Sequence, residues 1–438
     1  MTTSEKTTSE KNKGAKKSET RAKETPPALG VHGAATLASV TVDACNSQLR
    51  EEDGFLGDRA RRAAFFEGLE RWRVLADGEG KGRKDRGKDD DGKDGDGKDG
   101  DGKDDNGKDE DVSPRFGDTP TPELSKSLID DVLIKGEPRE QAVVHSAMED
   151  YAQDLAAVLR RLLRTKDWRD TERVAVGGGL TSGRFAALAI ARAELLLRAD
   201  EVKVELQPIR NHPDEAGLIG AAHLAPSWMF GSFDDILAVD IGGTNIRAGI
   251  VKLNLGKADD LSKARVRTLE LWRHRDDETH RDDAVERLVD MLRGLIDKAG
   301  KEGLKLAPFI GVACPGAIDA DGSIEAGAQN LPGNWESQRF NLPAALWDAI
   351  PEIDGHETAV VMHNDAVVQG LSETPFMQDV ERWGVLTIGT GLGNARFTNR
   401  ARPGGAGEKD RKAKDAKGGD AKGKGRKDGD KKGDGGKG

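Results

Sequence analysis

Apolar residues recur at helical spacing in two early stretches. Phe65, Phe66, Leu69, Trp72 and Leu75 share one face of residues 55–75, and Val144, Met148, Tyr151, Leu155, Val158, Leu159 and Leu162 share one face of residues 142–163. A short apolar run at 173–176 predicts a strand, 184–198 a helix, 202–208 a second strand, and the small-residue run 214–224 a helix able to pack closely. After a connector at 225–235 the pattern changes. Runs at 236–239, 246–253 and 266–272 predict three successive strands, and Val285, Leu288, Val289, Leu292, Leu295 and Ile296 mark an amphipathic helix over 282–299. Strands follow at 309–313, 359–362 and 384–388, with helical segments between them.

Three stretches carry no such pattern. Residues 1–25 are rich in Lys, Ser, Thr and Glu, residues 77–111 form a Gly-Lys-Asp tract, and residues 401–438 form a Gly-Lys-Asp-Ala tail. They lack the apolar area that would offset the entropy of ordering, so disorder is expected in all three. The rest of the 438 residues suffices for a two-lobed α/β protein.

Net charge is −10, which gives no general case for nucleic-acid binding, although its distribution is uneven. The tract 77–111 holds 9 basic and 15 acidic residues, the tail 401–438 holds 13 basic and 7 acidic. Two oppositely charged tracts can contact each other or a protein partner, with screening over about 8 Å at physiological salt. The DGKD and DGDG repeats place Lys98 or Lys103 where a calcium loop needs an oxygen ligand, so specific calcium binding is not expected. Two cysteines, Cys45 and Cys314, without CxxC spacing point to a reducing compartment. No signal-like segment and no run of about 20 apolar residues occurs, so a cytoplasmic protein without membrane association is expected.

The candidate chemistry lies in three glycine turns, each following an apolar run: VDIGGTN at 239–245, IGTGLG at 388–393 and VAVGGGLTSG at 174–183. Bare glycine backbone lets N–H groups approach an anion, and Thr244 and Asn245 add polar side chains. Three such turns suggest a nucleotide held between two lobes. Asp365, in HNDA, follows a predicted strand and is the first candidate for a general base. A carboxylate at that position can reach a hydroxyl in the cleft, or cap the following helix, or do both. His363 beside it has a structural role or touches substrate. Cys314, in a tight ACPG turn, reads as a small buried residue.

With those residues in view, the chain resembles the ROK family of sugar kinases and sugar-responsive repressors. The resemblance rests on DIGGTNIR at 240–247, GVACPGAID at 311–319, QNLPGNW at 329–335, HNDA at 363–366, GTGLG at 389–393, VAVGGG at 174–179 and DEAGLIGAA at 214–222. It implies an actin-like, ribonuclease-H-like fold of two lobes that clamps ATP. The motif order departs from the family's, because the GGG and AGLIGAA elements precede DIGGT. The chain therefore looks circularly permuted, with old termini joined through 225–235 and new ends opened after Asn399. The expected organisation is a tail (1–25), a helical segment (26–76), the acidic tract (77–111), an adenosine-side lobe (112–225), a phosphate and sugar lobe (236–400) and a basic tail (401–438).

The resemblance further implies an ATP-dependent carbohydrate kinase, a phosphotransferase with an alcohol acceptor. Asp365 would be its base, and Asp240 would orient Mg²⁺, in part through water. Gly242, Gly243, Thr244 and Asn245 would bind phosphate, Gly389, Thr390 and Gly391 would grip its other side, and Gly177, Gly178 and Gly179 would lie against adenosine. Asn330, Asn364 and Asp365 would hold sugar hydroxyls. Many ROK members have Lys where this chain has Asn245. The family's sugar-contacting Glu and His and its Cys-rich zinc motif have no counterpart after GGAGE at 404–408, so no zinc site is expected, and Glu51, Glu52, Asp53 and His32 are the available substitutes. The alternative is a non-catalytic nucleotide- or sugar-binding regulator or scaffold with the same fold. No helix-turn-helix is evident at 26–75, and a homodimer is left open.

Overall fold

The computed structural model describes residues 31–52, 54–77, 115–277 and 279–400. The tail 1–25, the acidic tract from residue 78 onward, the GGAGE segment and the basic tail, all discussed above, lie outside them. Ten principal strands and eight helices make up the described architecture. In chain order they are β1 (Val40–Cys45), α1 (Arg62–Asp77), α2 (Lys126–Lys135), α3 (Pro138–Leu163), β2 (Arg173–Gly177), α4 (Arg184–Ala199), β3 (Glu205–Pro208) and α5 (Ala216–Ala221). Then come β4 (Asp235–Ile241), β5 (Ile246–Lys252), β6 (Arg265–Trp272), α6 (Arg281–Glu302), β7 (Leu306–Cys314), α7 (Leu342–Ala349), β8 (Ala359–Asn364), α8 (Asp365–Leu371), β9 (Arg382–Ile388) and β10 (Leu392–Asn399).

The strands form two five-stranded sheets of identical plan. One runs β8-β7-β4-β5-β6, with β4, β5 and β6 antiparallel and β7 and β8 parallel to β4. The other runs β3-β2-β9-β10-β1, with β9, β10 and β1 antiparallel and β2 and β3 parallel to β9. The first is built from consecutive chain; the second takes β9 and β10 from the end of the described chain and β1, β2 and β3 from its earlier part. Val40 pairs with Asn399 and Cys45 with Ala395, and the Arg400 N–H donates to the Ser39 carbonyl at 3.0 Å.

Strand sequences match their places. Every residue of β4, the central strand, is buried, as expected for a strand covered on both faces. Edge strand β6 instead alternates exposed and half-buried residues. Helix α6 ends on Gly303 in the left-handed region, and α2 begins with Ser125 accepting from the Leu128 N–H at 3.1 Å. Apolar residues collect into three clusters: under α1 to α4 on the outer face of the second sheet, under α6 and α7 on the outer face of the first, and between the sheets around α5 and α8.

Two sequence expectations change. The segment 26–76 was expected to be helical, yet its described part holds β1, whose alternating Val40 and Val42 bury against the central cluster before α1 begins. Within α1, which packs on α3, Phe65, Phe66 and Leu69 are buried, whereas Leu75 is exposed. The lobe boundaries also shift. Residues 382–399, expected with 236–381, hydrogen-bond into the sheet of β2 and β3, since β9 pairs with β2 along Trp383–Thr387.

Helices α5 and α8 cross between the sheets. α5 packs on β4 and β7, and α8 on β9 and β10. A Cβ on Gly220 would lie 1.7 Å from the Val368 carbonyl oxygen, so the crossing is backbone to backbone. Gly220→Ala is therefore expected to destabilise the protein by at least about 1–3 kcal/mol in denaturant unfolding. Gly300→Ala, in α6 with nothing within 4 Å of the added carbon, is expected to be neutral or to stabilise by up to about 1 kcal/mol.

Candidate active site

Each sheet presents the turn after its first strand to a common cleft. β4 and β5 are joined by Gly242–Asn245, closed by the Gly242 N–H donating to the Asn245 carbonyl at 2.8 Å. β9 and β10 are joined by Gly389–Gly391, closed by Gly389 N–H to the Gly391 carbonyl at 2.9 Å. The two turns face each other, with Thr244 Oγ1 and Thr390 Oγ1 3.3 Å apart. His274, buried beyond β6, props the first turn through Nε2 at 2.8 Å from the Gly242 carbonyl. A third turn follows β2. Gly178 there has φ +98°, and a Cβ would lie 2.3 Å from the Ile388 carbonyl oxygen, so no other residue keeps this turn against β9.

These turns line one cavity of about 1360 Å³. Asp240, Gly242 to Asn245, Gly389 to Gly391, Gly178, Gly179, Asn330 and Asp365 all face it. Two expected site residues do not. Gly177 ends β2 beneath Ile209. Asn364 is 1% exposed, and its amide is fully used within the protein. Its oxygen accepts from the Ala366 and Val367 N–H groups, and its nitrogen donates to the Gly316 carbonyl at 3.0 Å and to Asp365 Oδ1 at 3.1 Å. Asn364 thus caps α8 and aims its neighbour, which leaves no group for a sugar.

Asp365 is the first residue of α8. Its Oδ1 accepts from the Ala366 N–H at 2.9 Å. Burial pushes its carboxyl up to about 6, and the charge of Asp240 adds to that, against hydrogen bonds that favour the ionised form. Capping therefore falls to Asn364, and its neighbour Asp365 lines the cavity. Asp240 is 3% exposed; burial raises its pKa, and the guanidinium of Arg247 opposes the rise. Arg247 bridges Asp240 at 3.4 Å and Asp214 at 2.6 Å, joining β5 to the segment before α5.

His363 does not join this chemistry. Its Nδ1 accepts from the Asn364 N–H at 2.7 Å and its Nε2 faces the Ala34 carbonyl at 3.2 Å, while burial lowers its pKa to about 4 and keeps it neutral. Cys314 is buried, with its thiol pushed well up by desolvation.

Of the residues named as substitutes for the sugar segment, Asp53 lies outside the described residues, and Glu51, Glu52 and His32 do not line the cavity. Glu51 pairs with Arg59 at 2.7 Å, and His32 accepts from the Met362 N–H at 3.1 Å, extending the edge of β8. Asn46, Ser47 and Gln48 line the cavity instead. The Asn394 side chain fixes this loop, accepting from the Ser47 N–H at 2.9 Å and donating to the Ser47 carbonyl at 3.1 Å. Sequence reasoning missed it; the one available signal was a polar NSQ triplet directly after the alternating VTVDAC.

The sequence model of the ROK family matches residues 236–408. Glucokinase from Thermotoga maritima is 30% identical over 166 residues, which cover 37% of this chain and 44% of that protein. The chain thus spans less than half the length of this relative. Among solved structures, the Lmo2764 protein of Listeria monocytogenes is 27% identical with a TM-score of 0.28, covering 40% of this chain and 52% of that one. The ROK match takes in β4 to β10, and with them both turns that meet at Thr244 and Thr390, Asn330 and Asp365.

Asn364→Ala removes the α8 cap and the bond that aims Asp365. A loss of about 1–2 kcal/mol in thermal or denaturant unfolding is the expected result.

Proposed function

We propose that the chain is an ATP-dependent sugar kinase that transfers the γ-phosphoryl group to a hexose-like hydroxyl. The observation that carries this reading is the placement of Asp365. A carboxylate with its pKa near 6 opens onto the cavity where two glycine turns converge. Such a group is ionised enough at neutral pH to accept a proton and basic enough to hold it. The ROK match and the similarity to a glucokinase support the same class.

The residues fit a nucleotide. A Cβ on Gly179 or Gly391 would meet nothing within 4 Å, so both present bare backbone to open space. Asn245 Oδ1 is buried without a hydrogen-bond partner among the described residues, as expected of an atom awaiting a donor on a ligand or its water. Asp240 fits Mg²⁺ held through water beside the phosphates, since Mg²⁺ takes few carboxylates and keeps much of its hydration. When bound, the ion would neutralise charge on the phosphates.

The chain's own groups perform the remaining work. Gly242 to Asn245 and Gly389 to Gly391 hold the phosphates from opposite lobes. Asn330 and the wall at Asn46 to Gln48 orient the acceptor, and Asp365 takes the proton from its hydroxyl. Lobe closure about the α5–α8 crossing would exclude water. The chain order follows from circular permutation of this fold, supported by two sheets of one plan, of which only the second is interrupted, at the β10–β1 pairing.

One observation favours a non-catalytic, ligand-binding regulator: Arg247 already occupies Asp240. Release of ADP from Mg·ATP across a panel of hexoses and aminohexoses separates the two. Turnover with one sugar class is the expected result, and ligand binding with no turnover supports the regulator.

Asp365→Asn is expected to lower kcat by about 10²–10⁴-fold without lowering thermal stability at pH 7.5. For the native residue, activity should rise with pH through about 6 as the carboxyl ionises. Stability moves the other way, because the folded state binds this proton more tightly than the unfolded chain. The contribution of Asp365 falls as pH climbs from about 4, the unfolded value, to about 6, and the variant lacks both dependences.

A further inference from the structure

Two cations stand around the second and third glycine turns. Arg62 opens α1 and lines the cavity; its backbone N–H donates to the Gly389 carbonyl at 3.1 Å, and its guanidinium lies 5.3 Å from the centre of the Phe66 ring. Lys126 opens α2 and donates through Nζ to the Gly179 carbonyl at 2.9 Å and to Ser182 Oγ. Neither forms an ion pair among the described residues. The two acids whose charge reaches Lys126 are committed elsewhere, Asp130 to the Arg184 and Phe185 N–H groups and Asp214 to Arg247. Arg61, next along the same wall, has a buried Nε with no hydrogen-bond partner among the described residues. Its own carboxylate contact, to Glu67, is long at 3.6 Å.

Like charges so close repel. Burial and then the proximity of Arg62 lower the pKa of Lys126, against weaker opposing effects of Asp214 and Asp130. A protein gains nothing from crowding two cations at a cleft unless an anion comes between or beside them. Arg62 lies on the wall of the cavity that also holds Asp365, against Gly389, and Lys126 reaches the third turn beside that wall through the Gly179 carbonyl.

We propose that Arg62 and Lys126, with Arg61 behind them, bind the inner phosphates of the phosphoryl donor, making this wall a polyphosphate site. The assignment deepens the kinase reading and rests on it for the identity of the donor. It does not rest on it for the ligand's chemistry, which is a chain of linked phosphates. A single carboxylate would neutralise one of the two side chains; a polyphosphate matches both, and its terminal group then extends toward Asp365. None of the three residues falls in the segment that matches the ROK family.

Isothermal titration of the full chain with Mg·ATP, with inorganic tripolyphosphate and with adenosine tests this. Arg62→Met and Lys126→Met are compared with Lys301→Met, an exposed change of the same charge on α6. Each of the first two should weaken ATP and tripolyphosphate about tenfold or more and flatten the salt dependence of both affinities, with adenosine unchanged. Arg62→Lys should keep most of the affinity. Circular dichroism melts verify that the variants remain folded, and if Lys126→Met unfolds, the Arg62 pair of variants decides alone.

Three results would overturn the proposal: equal weakening of ATP and adenosine, loss for ATP with tripolyphosphate unaffected, or a wild-type chain that does not bind tripolyphosphate. Failure of the kinase reading looks different. It is phosphate binding lost in these variants, from a protein that releases no ADP with any sugar.

Discussion

The close crossing of α5 and α8 is the constraint on which the site depends. Gly220 lies against the Val368 carbonyl, and Gly217 lies so near Asp240 that a Cβ would come within 2.6 Å of its carboxyl carbon. The same contact that joins the two sheets therefore sets the distance between the strand that ends in Asp240 and the helix that begins with Asp365. A side chain at either glycine would push the helices apart and separate the two acids. Small residues in AGLIGAA serve this contact, and only secondarily the helix that contains them.

Electrostatics then follow from burial. Desolvation raises both Asp240 and Asp365; the guanidinium of Arg247 opposes the rise at the first, whereas the charge of Asp240 adds to it at the second, against the hydrogen bonds from Ala366 and Asn364. Two chemically identical side chains thus acquire different proton affinities within one cavity. Neighbouring imidazoles take no part, because His363 and His32 are turned into backbone contacts that hold residues 32–34 on the edge of β8.

Much of this was legible in the chain. Glycine turns after apolar runs identified the three glycine loops that meet in the cavity, and the helical periods of residues 142–163 and 282–299 match α3 and α6. Asp365 was legible because HNDA follows a fully apolar run. Other features depend on contacts that no local pattern encodes. β1 pairs with a strand more than 350 positions away, so its short alternation at Val40 and Val42 was overshadowed by the stronger helical signal that follows. Asn364 is of the type that binds sugars, and only its hydrogen bonds reveal that both ends of the amide are spent. Arg62 and Lys126 are ordinary surface residues in sequence, and become notable only when α1 and α2 place them at the second and third glycine turns.

The β1–β10 pairing has a consequence for how the protein is made. Residues 235–364 hold one complete sheet from consecutive chain and can form it while synthesis continues, since its contacts are comparatively local. The other sheet cannot close until β9 and β10 have emerged, because they stand between β1 and β2. Until then β1 has no ladder partner and β2, paired with β3, is open on its other edge, both exposed to association with other chains. The slow step of maturation should therefore be the late capture of the first-made strand by the last, and with it the assembly of the second phosphate turn.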